Sequence, residues 1–254
     1  MALPLPKLSD TSEFGVHLIQ YMLTAPRLKL AEIIPTVIDD FHSSFLINAT
    51  WGKHASAALG NTLHPEKLQH QPTITFLEPG DDEGDDDDQY EALKHKKHDK
   101  HGKHEDKHPA PKPMIPLNNL VIAMTDPDAP SRDDPKWSEI AHWLAIGVPM
   151  HLNSTTDPLV LRLSNSNDEE PTHGLVDILP YKPPGPPPKT GKHRYVFVAF
   201  SPLNGTSEPL NLTVPKERRH WGFEGERMGV RQWASENGLV QIGANFVYAQ
   251  NDKQ

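Results

Sequence analysis

Apolar positions divide this chain into one helical stretch near its start and a series of short strands. Between residues 13 and 41 they recur at Val16, Ile19, Tyr21, Leu23, Leu28, Ile33, Val37 and Phe41, a spacing that gathers them on one face of a helix. Pro26 and Pro35 interrupt the pattern, because proline removes a helix-bonding N–H and crowds the preceding turn. The expectation is one helix followed by a short helical turn. Residues 45–51 alternate Phe45, Ile47 and Ala49, and residues 73–77 are rich in β-branched side chains, so both read as strands. Residues 117–125 form a short apolar run typical of a buried strand. Residues 142–148, 160–164, 194–201 and 240–248 follow as further strands with turn residues between them. A last helix over residues 224–236 presents Met228, Val230 and Trp233 and stops at Asn237-Gly238, where glycine accepts the left-handed backbone of a helix end.

Many short strands with little helix predict a mainly β fold, a two-sheet antiparallel β sandwich with a few peripheral helices. A length of 254 residues suits one domain over 1–254, with residues 13–41 as an N-terminal helical extension. Residues 79–116 break the pattern. Residues 81–88 are almost wholly acidic, residues 94–108 almost wholly Lys and His, and Pro109, Pro111, Pro113 and Pro116 close the segment. Such a stretch cannot bury enough apolar surface to offset its ordering entropy, so a mobile insertion is expected.

Composition narrows the functional classes. With no cysteine there is neither a disulfide framework nor a thiolate nucleophile, which fits a reducing compartment and a cytoplasmic location. The formal charge of -9, with no Lys/Arg face outside the insertion, argues against a nucleic-acid binder. Residues 1–7 lack the charged and apolar regions of a secretory signal, and no stretch approaches the roughly 20 apolar residues of a membrane span. The sequons at Asn48, Asn153, Asn204 and Asn211 read as chance matches.

Candidate chemistry concentrates in two segments. The first is Thr125-Asp126-Pro127-Asp128-Ala129-Pro130-Ser131-Arg132 with His142 shortly after; the second is Gly191-Lys192-His193-Arg194-Tyr195. A carboxylate beside an imidazole favours the ring's charged, doubly donating form, so Asp126 can make His142 or His193 an anion ligand. His193 and Tyr195 are two residues apart, which on a strand turns both side chains to one face. In the proline run 183–188, Gly185 carries the single backbone N–H, a phosphate contact in kind. Plainer roles compete: an Asx turn for Asp126 and a satisfied core position for His142. Asp126, His142 and His193 also form a donor set that several metals accept. In the insertion, His95, His98, His101, His104 and His108 recur at spacings of three or four, a weak metal motif against the plainer reading of a solvated loop. Arg218-Arg219-His220 reads as a solvated helix start, with Trp221 and Phe223 as core aromatics. No Gly-x-Ser-x-Gly elbow, zinc-protease motif, P-loop or dinucleotide fingerprint is present. An enzyme using Asp126 with a histidine as acid and base, and Tyr195 to steady charge, is therefore secondary to a non-enzymatic binding protein, and no cofactor is implied.

These two segments resemble the signatures of the phosphatidylethanolamine-binding protein family. The likeness runs from about Ala31 onward and includes Ile33-Ile34-Pro35 and Ala244-Asn245-Phe246. It implies a two-sheet sandwich with a small anion pocket for a phosphate-like or phospholipid head group. Asp126, His142, His193 and Tyr195 would line it, with Gly185 and Pro187 on the rim and Asp128, Pro130 and Arg132 as structural support. Family members act as regulators of kinases or proteases, and the fungal serine carboxypeptidase inhibitor subgroup is the most similar. Three departures stand out: Ile140 occupies a position where many members carry a tryptophan, the C-terminal helix of animal members is largely missing, and residues 79–116 have no counterpart.

Overall fold

The computed structural model describes residues 13–77, 119–149, 160–163 and 173–254. The insertion at 79–116 with its five spaced histidines, His95, His98, His101, His104 and His108, lies outside them.

The strands are β1 (Leu46–Thr50), β2 (Asn61–Thr62), β3 (Thr73–Leu77), β4 (Val121–Asp126), β5 (Ile140–Pro149), β6 (Val160–Leu163), β7 (His173–Leu179), β8 (Lys192–Pro202) and β9 (Leu239–Gln250). Two α-helices accompany them among the described residues, α1 (Glu13–Leu30) and α2 (Val230–Glu236). The strands follow one hydrogen-bonded order, β1-β3-β6-β7-β5-β4-β8-β9-β2, which folds back on itself to make two layers. Phe45, Ile47, Ile74 and Phe76 from β1, β3 and the approach to β1 pack against Ile122, Met124, Tyr195 and Phe197 from β4 and β8. Side chains alternate across a strand, so Val121, Ala123, Val196, Val198 and Phe200 point the other way. They form a second core with Leu28, Ile33, Ile38, Trp221 and Trp233. β4 and β8 are thus covered on both faces, the physical reason that both read as unbroken apolar runs.

The sandwich is mainly antiparallel but mixed: β2 pairs with β9, and β6 with β7, in parallel. The two-residue β2 reaches β9 through a long excursion of the chain, and parallel pairs need such crossovers rather than hairpins. Two helix expectations also change. α1 runs through Pro26 to Leu30; Pro26 is exposed, and burial of Thr24 and Leu28 on the inner side outweighs one lost helical bond. Leu23 sits outward in that helix. α2 starts at Val230 rather than 224, because Gly225 and Arg227 adopt left-handed backbone. Residues 224–229 instead form a strap against the start of β5, where Arg227 N–H donates to the Ser138 carbonyl (2.8 Å) and Glu139 N–H to the Met228 carbonyl (3.2 Å). Among the described residues no helix is long and apolar enough to cross a membrane.

Candidate functional site

Three neighbouring strands bring the polar residues together. β4 lies between β5, which carries His142, and β8, which carries His193, so Asp126 at the end of β4 stands between the two imidazoles' strands. The Asp126 carboxylate accepts the Asp128 N–H at Oδ1 (2.7 Å) and lies 2.9 Å from His193 Nδ1 at Oδ2. The turn-forming role and the imidazole contact therefore coexist in one side chain. His193 and Asp126 are almost wholly buried. Thr190 Oγ1 sits 3.0 Å from the far ring nitrogen of His193 and donates to the Pro187 carbonyl (2.8 Å).

His142 faces Tyr195 edge-on, with ring centroids 5.2 Å apart. Its Nδ1 lies 2.7 Å from the Lys182 carbonyl, which can only accept, so Nδ1 carries the proton. Burial pulls the His142 pKa below the ordinary imidazole value, with the nearby Asp126 charge opposing the shift. Burial pushes the Tyr195 phenol well above its ordinary value, Asp126 adds to the rise, and the Gly185 backbone partly offsets it. The neutral ring and neutral phenol are the forms present near neutral pH.

Asp126, His142, Gly185, Pro187, His193 and Tyr195 all line one cavity of about 430 Å³, with Pro130 and Ile140 on its wall. Asp128 and Arg132 do not line it. Asp128 turns away and accepts from the Arg194 backbone N–H and Nε, both at 2.8 Å. Arg194 in turn donates to the carbonyls of Ala31 (2.7 Å) and Glu32 (3.0 Å), tying the end of α1 to this loop. Arg132 pairs with Glu32 at the surface (2.8 Å). Among the described residues no group of three or more His, Asp or Glu is placed to hold a metal ion.

A family model described as phosphatidylethanolamine-binding protein matches residues 53–247. The chain belongs to the phosphatidylethanolamine-binding protein family. It is 30% identical over 222 residues to the carboxypeptidase Y inhibitor of Saccharomyces cerevisiae, spanning 86% of this chain and 90% of that relative. A structure described as carboxypeptidase Y inhibitor complexed with the cognate proteinase superposes with a TM-score of 0.63 at 24% identity, covering 91% of this chain and 96% of the other. The phosphatidylethanolamine-binding protein from Plasmodium vivax matches with a TM-score of 0.57 at 18% identity, over 90% of this chain and 98% of that one. Both structures share the fold.

Within the family frame, this cavity has walls that the two signature segments did not announce. Ile140 lines it, and Trp137, three residues earlier, adds an aromatic face. Lys182, Glu217, Arg218 and Arg219 line it as well. The Arg218-Arg219 pair was visible as a basic cluster, and Arg219 stands at the N-cap of a single short 3₁₀ turn, His220–Gly222, with Trp221 buried and Phe223 packed at the edge of the second core. Only the docking of this segment across β5 brings the arginines to the pocket.

Proposed function

We propose that this chain is a non-enzymatic regulatory protein, one domain over residues 1–254, whose pocket takes a phosphate-like or phospholipid head-group anion and whose outer surface inhibits a serine carboxypeptidase. The observation that carries the ligand reading is the convergence of Asp126, His142, His193 and Tyr195 on one cavity, with Gly185 and Pro187 at its rim. A volume of about 430 Å³ suits a small ligand rather than a whole lipid. The protease reading is supported by similarity to the yeast carboxypeptidase Y inhibitor across nine-tenths of that relative. In this reading the protein works in the cytoplasm, where a chain without cysteine needs no oxidising environment.

Thermal unfolding with inorganic phosphate tests the pocket. Phosphate should raise the melting temperature of the wild type, and His193→Gln or Asp126→Asn should abolish the rise while leaving a cooperative transition. A rise of equal size in both variants would place the anion elsewhere. Titrating the protein into a fungal serine carboxypeptidase tests the partner: activity should fall stoichiometrically, and full activity at molar excess would remove that assignment.

A further inference from the structure

We propose that Arg218 and Arg219 carry the charge recognition in this pocket and that its ligand is a phosphomonoester in the dianionic form; the proposal rests on the anion-pocket reading above.

Arg218 is fixed in place by the sheet itself. Ala141 N–H donates to the Arg218 carbonyl (2.7 Å), and Ile140 and Arg219 pair as an isolated antiparallel bridge. The Arg218 guanidinium then reaches back over β5: Nη1 donates to the carbonyls of Ala141 (2.9 Å) and His142 (3.1 Å), and Nη2 to that of Pro180 (2.8 Å). Every one of these partners is neutral. Among the described residues no carboxylate lies within ion-pair distance of Arg218, Arg219 or Lys182. A partly buried guanidinium satisfied by carbonyls alone is oriented but keeps its charge uncompensated, and a bound anion is what relieves it. Desolvation of Arg218 acts in the same sense, holding its pKa below the usual guanidinium value.

Arg219 is immobilised by a different route. Its guanidinium carbon lies 4.5 Å from the centroid of the Trp137 ring, a cation–π contact that restrains the side chain without neutralising it. Both arginines line the same cavity as His142 and His193. Three cations, Lys182, Arg218 and Arg219, face two carboxylates there, Asp126 and Glu217, an excess of one positive charge. The pocket is a positive spot on a chain of formal charge -9.

The class of anion follows from the two restrained guanidinium groups, which no ion pair among the described residues neutralises. A zwitterionic phosphodiester head group brings one negative charge and its own ammonium, which three cations repel. A dianionic phosphomonoester brings two negative charges and three oxygens that a planar guanidinium can fork onto. A soluble monoester and a monoester lipid share this chemistry.

Calorimetry on the full chain at about pH 8, above the second ionisation of a phosphomonoester, decides the matter with inorganic phosphate and dimethyl phosphate as probes. Phosphate should bind at least about tenfold more tightly than dimethyl phosphate, and Arg218→Gln and Arg219→Gln should each weaken phosphate by about tenfold or more. Arg218→Lys should restore part of the loss. Because Arg218 also braces β5, its glutamine variant can lose stability; Arg219→Gln, on an exposed side chain, keeps the test independent of folding. Unchanged phosphate affinity in Arg219→Gln, or equal binding of the two probes, overturns the proposal while leaving the pocket reading intact. A wild type that binds neither probe ends the pocket reading itself, and this inference with it. Sedimentation with vesicles then separates the sources: retention on phosphatidic acid marks a lipid monoester, phosphate binding without retention marks a soluble one, and equal retention on phosphatidylethanolamine contradicts the preference for a monoester.

Discussion

Glu139 shows how one buried side chain makes stability depend on pH. Its carboxyl accepts from the Thr125 hydroxyl (2.9 Å) and the Val230 N–H (3.3 Å), while burial raises its pKa from 4.5 to about 7. Between those values the folded protein holds a proton that the unfolded chain has released, so this group's contribution falls as pH rises through the window and is lost above about 7. Glu139→Gln should flatten that slope, by at most about 3 kcal/mol, which melting curves at several pH values will read. A steeper or unchanged slope would mean that another group dominates. Asp128 and Arg132, both expected as structural support, should differ sharply. Asp128→Ala strands the buried Arg194 charge and should cost about 3–5 kcal/mol in urea unfolding. Arg132→Ala breaks only a surface pair with Glu32 and should leave the midpoint nearly unchanged. From sequence the two were alike, since nothing in a linear motif says that Asp128 meets Arg194 inside.

At the scale of elements, the crossing of β9 beneath β1 is a tight joint against backbone. The N–H groups of Ser44 and Phe45 both donate to the Ile242 carbonyl, at 2.7 and 3.1 Å. A Cβ on the next residue, Gly243, would stand 2.8 Å from the Phe45 carbonyl oxygen and 2.9 Å from Ile47 Cγ1. Backbone cannot yield there as a side chain would, so Gly243→Ala should destabilise by about 1–3 kcal/mol; equal urea midpoints for variant and wild type would show that the two layers can separate slightly. The central strands β4 and β8 were legible in advance because burial on both faces leaves an unbroken apolar run. β7 was not, since Val176 faces solvent and blurs the alternation. The start of α2 lies later than the apolar residues suggest because Gly225 and Arg227 take left-handed backbone, so Met228 belongs to the strap that holds Glu139.

For the whole molecule, the site is a consequence of strand order. β5, β4 and β8 are adjacent, yet β4 and β8 are far apart in the chain, so His193 reaches Asp126 across 67 positions. Arg194 carries the connection further, to the carbonyls of Ala31 and Glu32 just past α1. A ligand that binds only this assembled state stabilises all of it. Phosphate at a hundredfold excess over its dissociation constant should add about 2.7 kcal/mol to the unfolding free energy, and a smaller gain at that saturation would mean that the unfolded chain also binds phosphate. By itself the sequence determined the mainly β class, most strand positions, the family signatures and the identity of the Asp, His and Tyr groups, because apolar periodicity and short fixed motifs are local properties of a chain. Only the tertiary structure decided that Asp126 engages His193 while His142 turns its proton to Lys182, that Asp128 finds its partner in the buried Arg194, and that Arg218 and Arg219 stand at the pocket wall. Those outcomes depend on distances between segments far apart in the chain, which packing sets and spacing does not encode.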